Sequence, residues 1–145
     1  MDEPRVPTGI KGLDKLTEGG FEKNSAVLVM GGGGCGKSIF ASQFLVEGIT
    51  NHNETGIYIS FEERKHRFYN HMSRFAWDLK ELEGQGRFIF LKYSPERIAK
   101  IVKERSKEIE NAIKEVEAKR IVIDSLSAYT ALFETEAEKR KMLVA

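Results

Sequence analysis

The apolar positions along this chain change their period several times, and each change marks a predicted element. Residues 26–30 (AVLVM) form a short continuous apolar run followed by glycines, the pattern of a strand buried on both faces of a parallel sheet. Between residues 38 and 49, Phe40, Ala41, Phe44, Leu45 and Ile49 recur at helical spacing. Residues 55–61 (TGIYISF) read as a second strand, and residues 64–77 as a helix with Phe68, Met72 and Phe75 on one face. A third strand is predicted over 87–93 (RFIFLKY). The longest predicted helix covers 95–119, where Ile98, Ile101, Val102, Ile109, Ala112, Ile113 and Val116 form one apolar stripe. Pro95 suits its first turn, because the missing N–H would have no intrahelical partner there. The Lys and Glu residues around the rest of that helix form a solvated face. Residues 120–126 (RIVIDSL) make a fourth strand, and a last helical pattern runs on to the terminus. Strands alternating with helices predict an α/β layered fold with a mostly parallel sheet.

Composition narrows this picture without changing it. At 145 residues, 41% hydrophobic and 31% charged, the chain is soluble and globular in character and long enough for one core. No repeat, low-complexity tract or Pro/Ser-rich linker suggests a domain boundary. A net charge of +1 gives no global signal for nucleic acid or membrane. No apolar run approaches the roughly 20 residues of a membrane span, and the polar start MDEPRVPTG is unlike a secretory signal. The single cysteine, Cys35, excludes an internal disulfide and suits a reducing compartment, so a cytoplasmic location is expected.

The chemistry begins at residues 31–38, GGGGCGKS, which fit G-x-x-x-x-G-K-[ST] through Gly31, Gly36, Lys37 and Ser38. A loop that wraps phosphate oxygens needs backbone angles that glycine permits, and its N–H groups and the following helix then face the anion. The expected nucleotide-contacting set is Gly31, Gly32, Gly33, Gly34, Cys35, Gly36, Lys37, Ser38 and Ile39. In it Lys37 reaches the β- and γ-phosphates and Ser38 ligates Mg²⁺. Cys35 could be a redox-sensitive thiol; the plainer reading is a small side chain that fits the loop. Asp124 ends the fourth predicted strand, where it can hold Mg²⁺ through a water opposite Ser38.

The stretch YISFEER (58–64) delivers Glu62 and Glu63 to the mouth of the second strand. In a sheet whose strand ends converge on a nucleotide, a carboxylate there can orient water for in-line attack. The competing reading makes both glutamates helix-entry residues favoured by the helix dipole. Adjacent strand residues point to opposite faces, so one role for both is not expected. Glu62 is taken as the water-positioning base, with Glu63 supporting it or pairing across an interface.

Four segments in order resemble the RecA/KaiC-like ATPase superfamily: TGIKGLDKLTEGGF (8–21) before the phosphate loop, YISFEE, FAWDLKELEGQGRFIFL (75–91), and KRIVIDSLSA (119–128) at the Walker B position. The resemblance implies a three-layer RecA-like P-loop NTPase core with a mostly parallel sheet, residues 1–145 being the N-terminal part of one such ATPase domain. It implies ATP on Gly31–Ser38, magnesium on Ser38 and Asp124, and catalytic roles for Lys37, Glu62 and Glu63. It also implies homo-oligomers, hexameric rings or filaments, with ATP held between subunits.

Cys35 stands where the family often has a small hydroxyl residue, and the chain stops soon after Asp124. In a RecA-like fold a further strand inserts between the Walker B strand and the phosphate-loop strand, and an Arg or Lys finger acts in trans. Neither is found in this sequence, so the domain reads as truncated after the Walker B strand, or as completed by another chain. Unpaired strand edges and association are expected. So is weak turnover, since loss of a finger costs roughly 10³ or more.

Two other functions are weighed. Arg64, Lys65, Arg67 and Arg74, near His66, His71, Phe68 and Tyr69, could track single-stranded nucleic acid. The alternative is a solvated helix with Phe68 turned inward. A KaiC-like autokinase or regulatory module would need hydroxyl acceptors such as Ser125, Ser127 or Thr130, which nothing in the sequence marks as substrates.

Overall fold

A computed structural model of the chain describes residues 4–30 and 36–124. It begins with a small antiparallel ribbon of β1 (Arg5–Val6) and β2 (Phe21–Glu22), with the helical turn α1 (Leu13–Leu16) between them. The ribbon depends on a glycine: Gly20 has φ +127°, and a Cβ there would lie 2.1 Å from the Val6 carbonyl oxygen. Asp14 closes the lead-in, its Oδ1 accepting from the Thr8 N–H at 2.9 Å and the Thr8 hydroxyl at 2.7 Å. Its Oδ2 accepts from the Gly9 N–H at 3.2 Å. Burial alone would raise the Asp14 carboxyl, but these bonds and the charge of Arg120 together hold it below the ordinary value.

The main body follows as α2 (Lys37–His52), β3 (Gly56–Ser60), α3 (Lys65–Met72), α4 (Leu79–Gly84), β4 (Phe88–Lys92), α5 (Pro95–Lys103), α6 (Glu108–Val116) and β5 (Arg120–Asp124). The sheet has the order β4-β3-β5, parallel throughout. All residues of β3 are buried, as a central strand covered on both faces requires. Alternation along it divides the core. Ile57 and Ile59 pack with Phe61, Ile98 and Ile101 on one side, against α5 and α6. Tyr58 joins Leu45, Ile49, Phe68, Met72 and Phe88 on the other, against α2, α3 and α4. Gly56 lets α2 settle onto the strand, since a Cβ there would come 3.1 Å from Leu45 Cδ2.

The structure departs from the sequence expectations in three places. Residues 26–30 are not a strand: they join no ladder, and Val27, Leu28, Val29 and Met30 are exposed. A strand exists only through its pairing, and among the described residues neither this segment nor any other bonds to the outer edge of β5, where Ile121 and Ile123 are also exposed.

The single helix expected over 95–119 is two. Arg105 turns left-handed at φ 53°, its neighbour Ser106 donates its N–H to the Ile101 carbonyl, and the Ser106 hydroxyl accepts from Glu108 N–H. Val102 and Ile109 stand one heptad apart, so the apolar stripe runs unbroken across this corner. Arg97 ties the two helices by donating to both Glu108 oxygens at 2.9 and 3.1 Å.

Helix α4, capped by Asp78 accepting from Glu81 N–H at 3.1 Å, was not predicted. The helix from residue 64 correspondingly ends at Met72 rather than running to 77.

Candidate functional site

The site lies where the first turn of α2 meets the tips of β3 and β5. Gly36, at φ 87° and ψ 19°, caps α2 in the left-handed region, and its carbonyl accepts from Phe40 N–H at 2.9 Å. Helix formation from Lys37 onward then fixes Ser38 in the first turn, where it faces the sheet. Gly31, Gly32, Gly33, Gly34 and Cys35 lie outside the described residues. Ile39 packs its side chain against the core, which leaves its backbone as the part available to a nucleotide.

Parallel register sets the opposite wall. Ser60 of β3 pairs with Asp124 of β5, and the chain leaving β3 continues the ladder by donating Phe61 N–H to the Asp124 carbonyl at 3.0 Å. Ser38 Oγ donates to Asp124 Oδ2 at 2.6 Å. Tyr58 donates its hydroxyl to the same oxygen at 2.5 Å. Burial, reinforced by the Asp124 carboxylate, pushes the Tyr58 hydroxyl far above the ordinary tyrosine value, so it remains a donor.

The two glutamates part company in the bend that follows β3. Glu62 is exposed, and no ion pair or hydrogen bond engages it among the described residues. Glu63 turns inward: its Oε1 is buried 2.6 Å from His71 Nδ1, near enough for charge pairing though not aligned as a hydrogen bond. Its backbone carbonyl accepts from the Ser60 hydroxyl at 2.8 Å, and its charge reaches Tyr58.

The oxygens of Ser38 and Asp124 form a hard donor pair suited to Mg²⁺, which takes few protein ligands and keeps several waters. Among the described residues no group of three or more His, Cys, Asp or Glu forms a denser metal cluster. In the basic segment of α3, Phe68 and Tyr69 are buried in the core while Arg64, Lys65, Arg67, His66 and His71 are exposed. The rings that would stack on bases are withdrawn from solvent. Ser125, Ser127 and Thr130 lie outside the described residues. Among those residues no helix is long and apolar enough to cross a membrane.

Tyr58 was missed as a site residue in the sequence. Its signal was a hydroxyl on a strand position otherwise filled by apolar side chains, two residues before the strand tip.

Known proteins resemble this chain in sequence and in fold. The family model described as the KaiC ATPase matches residues 6–145. The circadian clock protein KaiC3 of Synechocystis is 35% identical over 96% of this chain and 29% of its own length. The UPF0273 protein MJ1359 of Methanocaldococcus jannaschii is 37% identical over 85% of this chain and 56% of its own. Among solved structures, the KaiC-like protein PH0186 of Pyrococcus horikoshii superposes with a TM-score of 0.83 at 33% identity, covering 99% of this chain and 63% of that one. The chain thus spans 29% to 56% of these curated relatives' lengths. With an α/β fold built on a parallel sheet and a family match over nearly its whole length, this chain belongs to the KaiC ATPase family, within the RecA/KaiC-like P-loop superfamily.

Proposed function

We propose that this chain binds ATP with Mg²⁺ and hydrolyses it to ADP and phosphate, coupling nucleotide state to the conformation of a homo-oligomer. The observation that carries this reading is the 2.6 Å approach of Ser38 Oγ to Asp124 Oδ2. Residues 86 positions apart meet there, at the carboxyl end of a parallel sheet, where open α/β folds bind ligands.

In this reading Gly31–Ser38 grip the phosphates through main-chain N–H groups, with Ile39 adding its backbone, and Lys37 neutralises the β- and γ-oxygens. Ser38 donates its proton to Asp124 and so would have lone pairs to offer a metal, and Asp124 would act on it through a water. Ser38 and Asp124 would hold the magnesium, which when bound would offset negative charge on the phosphates. Glu62, exposed and unengaged, accepts from the attacking water and aligns it; Glu63, held beside His71, supports the turn that presents it. Turnover by this chain alone is expected to be weak, because an Arg or Lys finger supplied in trans contributes roughly 10³ or more.

Calorimetry with Mg·ATP tests the proposal. Uptake is expected for the unsubstituted chain and a large loss for Lys37→Ala. Absence of magnesium-dependent uptake by folded protein would overturn it. Single-stranded nucleic-acid binding is the weaker reading, since α3 buries Phe68 and Tyr69. Steeply salt-dependent DNA binding, mapped to α3, would restore it.

A further inference from the structure

We infer that Tyr58 is a positioning residue for the metal site, orienting Asp124 from inside the hydrophobic core. The inference rests on the magnesium-nucleotide reading above and extends it to a side chain outside the phosphate loop and the strand-tip acids. Tyr58 is 1% exposed, and its hydroxyl ends 2.5 Å from Asp124 Oδ2. Its ring is clamped between Phe68 of α3, at 4.5 Å between centroids, and Phe90 of β4, stacked at 5.8 Å and 7°. The register of β3 on β5 places Tyr58 beside Val122, one alternation back from Asp124 on the same face.

The division of labour on one carboxylate follows from valence. A carboxylate only accepts, and both Ser38 and Tyr58 donate to Oδ2. Two donors fill the lone pairs of that oxygen and leave Oδ1 as the oxygen for a metal-bound water. Ser38 lies in the phosphate-loop helix, so its bond can change when nucleotide arrives. Tyr58 cannot follow such a change, because its ring has no room to turn. It supplies the fixed end of the arrangement, holding the carboxylate plane while Ser38 engages the metal. Residues that orient ligands in this way typically affect metal affinity 10–100-fold when lost.

Tyr58→Phe removes the hydroxyl and keeps the ring. The experiment titrates Mg²⁺ against a fluorescent, non-hydrolysable ATP analogue bound to the full chain, with parallel titrations in EDTA. The expected result is a half-saturating Mg²⁺ concentration raised by roughly 10-fold or more, with EDTA affinity unchanged. In an Asp124→Asn background, Tyr58→Phe should add nothing further. In the unsubstituted chain, NMR should show a slowly exchanging tyrosine hydroxyl proton that Asp124→Asn removes, a readout independent of how the Phe variant folds. An unchanged magnesium requirement in Tyr58→Phe, or equal weakening with and without metal, would overturn the inference. Failure of the unsubstituted chain to bind the magnesium nucleotide would instead sink the nucleotide reading, and this inference with it.

Discussion

Ser38 and Asp124, separated by 86 positions in sequence, share a hydrogen bond of 2.6 Å between the first turn of α2 and the tip of β5. The bond joins the phosphate-loop helix to the sheet at the point where a divalent ion would have to be held. Replacing the acid by its amide keeps the volume and exchanges an anionic acceptor for a neutral side chain that also donates. Asp124→Asn is therefore expected to retain nucleotide binding in EDTA and to lose the magnesium-dependent gain by roughly 10–100-fold. Isothermal titration with and without Mg²⁺ measures both quantities, and equal losses in the two titrations would count against the metal role.

The opposed settings of Glu62 and Glu63 predict unlike phenotypes. Glu62 is exposed at the strand mouth, whereas Glu63 is drawn toward His71. If Glu62 aligns water, Glu62→Gln should leave ATP affinity within about twofold and lower turnover by roughly 10²–10⁴, the usual worth of a general base. Glu63→Gln should give a smaller fall in turnover, together with a looser turn before α3. Single-turnover assays under saturating ATP separate the two. Unaltered turnover in Glu62→Gln would move the base elsewhere.

How far the sequence announced this structure depends on the range of the forces involved. Strands β3, β4 and β5 and helix α2 were readable because continuous apolar runs and helical spacing report burial directly, as Ile57–Ile59 and Leu45–Ile49 do. Of the glycine motif, Gly36 lies within the described residues, and its left-handed turn at φ 87° is one that glycine permits. Residues 26–30 misled for the same reason: an apolar run reports a tendency to pair, and the pairing itself depends on a neighbouring strand. The α5–α6 corner was hidden because the stripe from Val102 to Ile109 stays in phase across it. Tyr58 was hidden because its bond to Asp124 depends on strand register, which no local pattern encodes.

The lead-in loop should show its dependence on Asp14 through pH. That carboxylate accepts from Thr8 twice and from Gly9 once, and its folded value lies below the ordinary 3.8. A depressed carboxylate contributes stability above its unfolded value and loses that contribution as pH falls through the folded one. Asp14→Asn is expected to cost about 1–2 kcal/mol at pH 7, the scale of charged hydrogen bonds lost. The gap between variant and parent should narrow steadily below about pH 4. Urea melts at pH 7 and in acid check this; a gap independent of pH would mean that packing, rather than the charge, holds the loop.

Arg120 is the most completely enclosed charge among the described residues, 3% exposed at the start of β5. Its Nε donates to Glu54 at 2.7 Å, and its Nη1 donates to the carbonyls of Pro7 at 2.6 Å and Phe44 at 2.9 Å. Its guanidinium also lies over the Phe44 ring at 4.6 Å. One side chain thus fastens the lead-in, α2 and the sheet that carries Asp124. Arg120→Met preserves much of the stem volume but strands one acid and two carbonyls, so a loss of about 3–5 kcal/mol is expected, as for a broken buried pair. Adding Glu54→Met removes the stranded acid and should recover only part of that loss, since the Pro7 and Phe44 carbonyls remain without their donor. Thermal melts of the single and double variants decide the matter. Complete recovery in the double variant would show that the pair with Glu54, and not the grip on two backbone carbonyls, is what Arg120 contributes.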